Sequence, residues 1–236
     1  MIIQSLVSKH NYPMKFNTIS HSILLIITIV LFSCGSQNTP KAFKLQAGDL
    51  LFQDLDGSSL SDAIEDVTAE EKALSFSHVG IAVSGGKEEI LILEAIGEAV
   101  QYTSLDSFLT RSLNADRMPK VRVARLNKKH QLRIVKAVSY GRSLIGFPYD
   151  PTYLMSDSTY YCSELIYEMF KHSGDGSEIF KLDAMTFKDA KTGEFHPAWV
   201  KHYEDMGIEI PEGKLGCNPN GMSTSKEIEW VFDYSK

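Results

Sequence analysis

Cys162 brings a nucleophilic thiol to what the sequence predicts is the first turn of a helix. Leu165, Ile166 and Met169 follow at three, four and seven positions, the spacing of one helical face, so the thiol lies on the apolar side of that helix. The N-terminal end of a helix stabilises negative charge and favours the thiolate form of a cysteine. The pattern therefore indicates either a nucleophile or a buried cysteine that packs as a small apolar side chain.

A catalytic cysteine needs an imidazole to take its proton and a polar group to orient that imidazole. His78 is the candidate base, because it lies at the start of the run Ser77–Val83, which predicts a strand. Strand alternation places His78 on the same face as Gly80 and Ala82, and these small neighbours leave room for the end of a helix. The other histidines lie on helical, polar or turn segments and are not predicted to take part.

Glu94 is the candidate for the orienting group, because it interrupts an apolar strand in which a carboxylate would need a partner. An odd-numbered hairpin loop that sets Val83 opposite Glu89 places His78 directly opposite Glu94. A two-residue turn at Gly85–Gly86 instead places Glu94 on the other face of the sheet. A solvent-facing carboxylate at the sheet edge is the alternative, so the triad depends on the register of one hairpin.

Three tyrosines near the cysteine are candidates for substrate binding, namely Tyr149, Tyr153 and Tyr161. For each of them, packing in the interior is the alternative. The sequence contains no HExxH motif and no pair of CxxC motifs. We therefore predict no metal site, and we predict that the protein works without a cofactor.

The elements that must position these residues follow from hydrophobic periodicity and turn residues. Strands are predicted at 50–52, 77–83, 89–95, 99–103, 121–124 and 228–232, and helices at 61–72, 104–109, 130–145 and 162–171. The helix at 130–145 is predicted to bury one face, made of Ile134, Val135, Val138 and Ile145. Strands gather in the first half and long helices in the second, which predicts an α+β fold.

Composition limits the class of protein. The 236 residues are 43% hydrophobic and 23% charged, which is typical of a globular protein. The formal net charge of -6 argues against nucleic acid as a partner, because the chain offers no basic field to phosphates. Three cysteines are too few for a disulfide framework.

The first 33 residues differ in character from the rest and predict a signal peptide. The apolar run Ile23–Phe32 is shorter than the roughly 20 residues that cross a bilayer. The segment Leu31–Cys34 resembles the lipobox of bacterial lipoproteins, in which the cysteine is lipidated, and residues 34–44 read as a tether. We therefore predict a protein of the bacterial cell envelope, anchored to a membrane by lipid on Cys34. A soluble secreted protein with an incidental Cys34 is the alternative, and Met14 is a second candidate start.

Four motifs in the body are similar to those of the NlpC-type papain-like cysteine peptidases; they are Gly48–Phe52, Ser77–Ile81, Glu94 and Tyr161–Leu165. In most of that superfamily the cysteine helix comes first. Here it comes last, so the chain resembles the circularly permuted branch, the YaeF/YiiX-like amidases. The resemblance covers residues 45–170 and implies that 45–236 form a permuted papain-like catalytic domain, with an antiparallel sheet packed against helices. It implies Cys162 as the nucleophile, His78 as general base and acid, and Glu94 as the orienting group.

The resemblance also implies an activity. Relatives with bacterial export signals act on cell-wall peptides or similar amides, which implies a cysteine amidase or peptidase acting on peptidoglycan peptides through a thioester. The branch also resembles the lecithin-retinol acyltransferase group, so an acyltransferase or thioesterase acting on lipid or other acyl substrates is the alternative. A further alternative is a non-catalytic envelope binding module in which Cys162 is bridged to Cys217.

Overall fold

The computed structural model describes residues 43–68, 75–87, 89–156, 158–174 and 178–236. The predicted signal peptide at 1–33, the lipidation site Cys34 and the tether up to residue 42 lie outside these ranges. Phe43 is the first of the described residues, and its ring stacks on that of Phe232 with centroids 4.2 Å apart. Within the described ranges, no helix combines the length and the apolar character needed to span a bilayer.

The strands of the described residues are β1 (Leu50–Gln53), β2 (His78–Gly86), β3 (Glu89–Ile96), β4 (Ala99–Ser104), β5 (Val121–Leu126), β6 (Asp183–Ala184), β7 (Leu215–Gly216) and β8 (Ile228–Asp233). Six of them form the central sheet, in the order β4-β3-β2-β1-β5-β8, and every neighbouring pair is antiparallel. The short strands β6 and β7 pair with each other in a separate ladder. All four residues of β1 are buried, which is typical of a central strand covered on both faces.

Helices cover both faces of this sheet. They are α1 (Ser59–Thr68), α2 (Leu105–Thr110), α3 (Ile134–Ser143), α4 (Cys162–Lys171), α5 (Pro197–Met206) and α6 (Pro219–Ser223). Helix α4 packs on β2 and β3 and against α3, and its apolar side chains join the largest core cluster. Phe108 of α2 belongs to a second cluster on the opposite face of the sheet. The predicted α+β class, with an antiparallel sheet packed against helices, is confirmed.

A third apolar cluster, which we call the α1–α5 cluster, lies apart from the sheet. Its buried members are Ala63, Val67, Phe187, Trp199 and Tyr203. The rings of Phe187 and Trp199 meet edge to face, with centroids 5.1 Å apart. This cluster fixes the C-terminal third of the domain against α1.

The prediction for residues 130–145 is wrong in detail. A short 3-10 helix at Lys128–Arg133 precedes α3, so the regular helix starts only at Ile134. The buried side of α3 is made of Ile134, Ala137 and Gly141, and Val135, about 100° around the helix from Ile134, is 76% exposed. Ile145 lies beyond the end of α3 and is 40% exposed. The prediction that Val135 and Ile145 are buried with Ile134 is therefore wrong.

Candidate active site

The N-terminus of α4 carries Cys162, which is the first residue of that helix and is 4% exposed. The preceding Tyr161 has extended backbone angles, so the chain enters the helix sharply. The buried carboxylate of Glu164 accepts the backbone N–H of Tyr161 at 3.2 Å and that of Ser156 at 2.7 Å. The loop before the nucleophile candidate is therefore tied to the first turn of its own helix.

The β2–β3 hairpin differs in register from the predicted one. Val83 pairs with Leu91 rather than with Glu89, because the ladder shifts close to the turn. The expectation that His78 lies directly opposite Glu94 is therefore wrong by two residues. A slip of two residues keeps every side chain on its own face, so the two side chains still project from the same side of the sheet.

Gly80 lies in the crowded space beside Glu94. A Cβ atom at Gly80 would lie 2.6 Å from Cγ2 of Ile92 and 3.4 Å from Cβ of Glu94. It would also lie 3.3 Å from the ring of Phe108 on α2. The missing side chain therefore leaves room for Ile92, Phe108 and the base of the Glu94 side chain.

His78 and Glu94 meet in a short hydrogen bond. Nε2 of His78 lies 2.6 Å from Oε2 of Glu94, and both side chains are almost fully buried. Arg111, at the end of α2, donates to both oxygens of the same carboxylate, at 2.6 Å to Oε1 and 3.1 Å to Oε2. Its guanidinium lies 5.1 Å from the centroid of the Phe108 ring. The carboxylate is thus held between an imidazole and a two-pronged guanidinium.

Sequence reasoning did not find Arg111. It follows a predicted short helix and belongs to no motif, and its partner lies seventeen positions earlier in the chain. The one available signal was the general rule that a buried carboxylate needs a cation or donors to offset its desolvation. That rule predicts that a partner exists, and only the fold selects which residue it is.

The electrostatics of the group favour charged forms. Burial by itself lowers the pKa of His78, but hydrogen bonds to Cys162 and Glu94 and the negative charges of both outweigh it and raise the pKa to about 9. Burial by itself raises the pKa of Glu94, yet His78 and Arg111 lower it to about 2. Because Glu94 occupies Nε2, Nδ1 is the ring nitrogen left for the sulfur of Cys162. An imidazolium beside the sulfur at neutral pH is the charge state that supports a thiolate.

The three predicted substrate-binding tyrosines lie near the sulfur in different ways. The hydroxyls of Tyr149 and Tyr153 are 3.4 Å apart. Burial raises the pKa of both, to about 12 for Tyr153, and the charge of Cys162 adds to the effect. The hydroxyl of Tyr161 accepts the backbone N–H of Cys217 at 3.2 Å, so this side chain also holds neighbouring backbone.

A cavity of about 130 Å³ opens beside Cys162. Most of its lining is apolar, and the residues that line it are Ile64, Val67, Thr68, Ser77, Tyr153, Tyr161, Cys162, Ser163, Asp183, Ala184, Met185, Thr186, Phe187, Trp199, Cys217, Asn218 and Pro219. The α1–α5 cluster therefore supplies one wall of the space next to the sulfur.

The second described cysteine lines the cavity without being bonded to the first. Cys162 and Cys217 are both free thiols rather than a bridge. His130 forms a pair with Glu227 at 2.6 Å, far along the chain from the cysteine helix. In the ranges that the structure covers, no cluster of three or more histidine, cysteine, aspartate or glutamate side chains is arranged to hold a metal ion.

Comparison with known proteins identifies the family. Residues 44–232 match the family described as permuted papain-like amidase enzyme, YaeF/YiiX. The chain belongs to this family. It is accordingly a cysteine hydrolase of the amidase and peptidase type, with the circularly permuted papain-like fold that the sequence motifs predicted.

Two relatives illustrate the YaeF/YiiX family. The protein YiiX of Escherichia coli is 27% identical over 190 residues, which cover 80% of this chain and 87% of YiiX. A crystal structure described as the metalloprotein YiiX from Escherichia coli aligns with a TM-score of 0.63 at 22% identity, over 81% of this chain and 98% of that one. The second comparison supports the fold.

Proposed function

We propose that the protein is an amidase that cleaves amide bonds of cell-wall peptides through a thioester on Cys162. His78 is the general base and acid, and Glu94 orients it. The observation that carries the proposal is the chain of contacts from the sulfur of Cys162 through His78 to Glu94. The three residues lie on three different elements, α4, β2 and β3. Packing within one element therefore does not explain why they meet.

The proposed reaction follows from this arrangement. The thiolate attacks the carbonyl carbon, and the backbone N–H of Cys162, in the first turn of α4, is available to the oxyanion. The imidazolium of His78 gives its proton to the leaving nitrogen, so the C–N bond breaks and a thioester remains. Water then attacks the thioester while His78 takes its proton, which releases the acid and restores the thiolate.

The first prediction concerns the nucleophile and the base. Cys162→Ala should abolish release of products from a library of wall peptides, because no other described thiol touches His78. His78→Gln should do the same, whereas His130→Gln should retain activity, since it removes a comparable histidine–glutamate pair outside the cleft. Product release is followed by mass spectrometry, and folding by thermal unfolding. Unchanged turnover by a folded Cys162→Ala protein would exclude the mechanism.

A second candidate function keeps the same residues and changes the acyl donor. The largely apolar cavity beside Cys162 favours an acyl group over a charged one, as expected for an acyltransferase or thioesterase acting on lipid or other acyl substrates. A lipid anchor on Cys34 would hold such an enzyme at a membrane. Incubation with phospholipid or with muropeptides, followed by product analysis, separates the two candidates.

A further inference from the structure

The cavity beside Cys162 has walls drawn from two distant parts of the chain. Ile64 and Val67 come from α1, whereas Phe187 and Trp199 come from the C-terminal third of the domain. Cys162 lines the same cavity. A group bound there is therefore held next to the residue that would attack the substrate.

The size of the cavity limits what can bind. At about 130 Å³ it is close to the roughly 150 Å³ of an engineered apolar cavity that binds benzene. A single aromatic ring or a short branched aliphatic group fits such a volume. An acyl chain of ten or more carbons would extend beyond it.

The chemistry of the lining limits the charge that a group bound in the cavity can carry. The walls named above are apolar, and Asp183, which also lines the cavity, is an exposed acid. None of the residues that line it is a lysine or an arginine. A carboxylate placed there would lose its hydration without gaining a cation, which is unfavourable.

We propose that this cavity is a specificity subsite that accepts a neutral apolar group of about one aromatic ring, joined to the amide that Cys162 attacks. The proposal rests on the proposed function for its link to catalysis. It narrows the substrate to amides with an apolar group beside the reacting carbonyl. It also excludes acidic residues as the group that occupies this space, and only part of a long acyl chain would lie within it.

The test uses small alkylating amides rather than a substrate. A thiolate displaces chloride from a 2-chloroacetamide, so that a C–S bond forms and chloride leaves. The rate constant for labelling of Cys162 is measured by peptide mass spectrometry for chloroacetamides whose nitrogen carries hydrogen, benzyl, isobutyl, carboxymethyl or decyl. We expect benzyl and isobutyl to react about tenfold faster than carboxymethyl, the usual discrimination of an apolar pocket. Equal rates, or a fastest reaction with decyl, would overturn the proposal.

Two half-buried positions on α1 provide a matched pair of variants. Ile64 lines the cavity, whereas Leu60, one turn earlier, packs on the same cluster without lining it. Ile64→Phe should remove the preference for benzyl over carboxymethyl, because the new ring fills the subsite. Leu60→Phe should keep it. Loss of the preference in both variants, or in neither, contradicts the assignment.

A binding measurement keeps the subsite separate from catalysis. In a protein carrying Cys162→Ala and Trp230→Phe, Trp199 is the remaining tryptophan, because the chain has two. Titration with N-benzylacetamide should change the fluorescence of Trp199 in a saturable way, whereas titration with N-acetylglycine should not. If no chloroacetamide labels Cys162 but this titration saturates, the proposed function fails and the subsite stands. Absence of a saturable change overturns the subsite, whatever the labelling shows.

Discussion

At the scale of residues, two histidine–glutamate pairs of the described residues have equally short contacts but different surroundings. His78–Glu94 and His130–Glu227 both have 2.6 Å contacts. The first pair has a sulfur on one side and the guanidinium of Arg111 on the other. These neighbours, rather than the contact itself, make the first pair suited to proton transfer.

The second prediction concerns the pH dependence of activity. The protonated form of His78 is required to expel the leaving amine, and its pKa is about 9. Activity should therefore fall as pH rises through about 9. Glu94→Gln removes a negative charge, lowers the pKa of His78 and should move this alkaline limb to lower pH. Profiles of kcat/KM against pH for the wild-type protein and for Glu94→Gln test this prediction. A folded variant whose activity falls at the same alkaline pH as the wild-type activity would contradict it.

The sign of the accompanying stability effect follows from the same shift. A pKa raised from 6.5 to about 9 means that the folded state binds the proton of His78 more tightly than the unfolded state does. This contribution to stability is complete below pH 6.5 and disappears as pH rises through about 9. For Glu94, whose pKa is lowered from 4.5 to about 2, stability is present above 4.5 and disappears as pH falls through about 2.

The third prediction assigns a positioning role to Arg111. Arg111→Gln removes a donor pair from a buried carboxylate and should cost roughly 1–3 kcal/mol of unfolding free energy. It should also raise the pKa of His78, opposite to the effect of Glu94→Gln, because a neighbouring positive charge is lost while the carboxylate remains. Arg111→Lys should restore part of the stability without the two-pronged geometry. Chemical unfolding and the pH profile measure both effects, and a variant with wild-type stability and profile would exclude the role.

At the scale of elements, the β2–β3 hairpin decides whether the site exists. Its register places His78 and Glu94 on the face that carries Phe108, while α4 covers the opposite face. His78 is the first residue of β2, and Cys162 is the first residue of α4. The sulfur and the imidazole therefore meet where both elements begin.

The fourth prediction tests this crowding in the hairpin. Gly80→Ala places a methyl group 2.6 Å from Ile92 and within contact of Glu94, so it should destabilise the protein by roughly 1–3 kcal/mol and reduce activity. Ser84→Ala, at an exposed position of the same strand, should change stability by less than about 0.5 kcal/mol. Unfolding curves and turnover of both variants check the expectation. Equal effects would show that the space at Gly80 is not required.

At the scale of the whole domain, the α1–α5 cluster joins the C-terminal third of the chain to a helix that follows the first strand. The cluster lies beside the cleft, so residues far from the sulfur in sequence shape the space next to it. We expect stability and substrate selection to be coupled there.

The fifth prediction uses the two tryptophans of the chain. Trp199 is 2% exposed and Trp230 is 37% exposed. Trp199→Ala should cost roughly 3–5 kcal/mol, because it leaves a large cavity in the cluster. Trp230→Ala should cost clearly less, since its ring is already partly in water. Thermal unfolding of both variants tests this, and an equal loss of Tm would contradict the role of the cluster.

Much of this molecule follows from local pattern. Alternation and turn residues predicted the strands that carry His78 and Glu94, and helical spacing predicted the helix that begins at Cys162. The short helix predicted at 104–109 is present as α2, and Ser104 caps it by accepting the backbone N–H of Ser107. The family resemblance followed from short motifs around these same residues. Such features are readable because periods of 2.0 and 3.6 residues are properties of the backbone itself.

Tertiary structure alone decided the rest. The hairpin register, the partner Arg111 and the cavity walls from α5 depend on residues distant in sequence, whose meeting is set by packing rather than by local preference. Packing likewise decided that Ile134, Ala137 and Gly141, and not Val135, form the buried side of α3. The sequence by itself determined which residues could do chemistry. The fold determined their distances and protonation states, because burial and neighbouring charge arise only when the chain is packed.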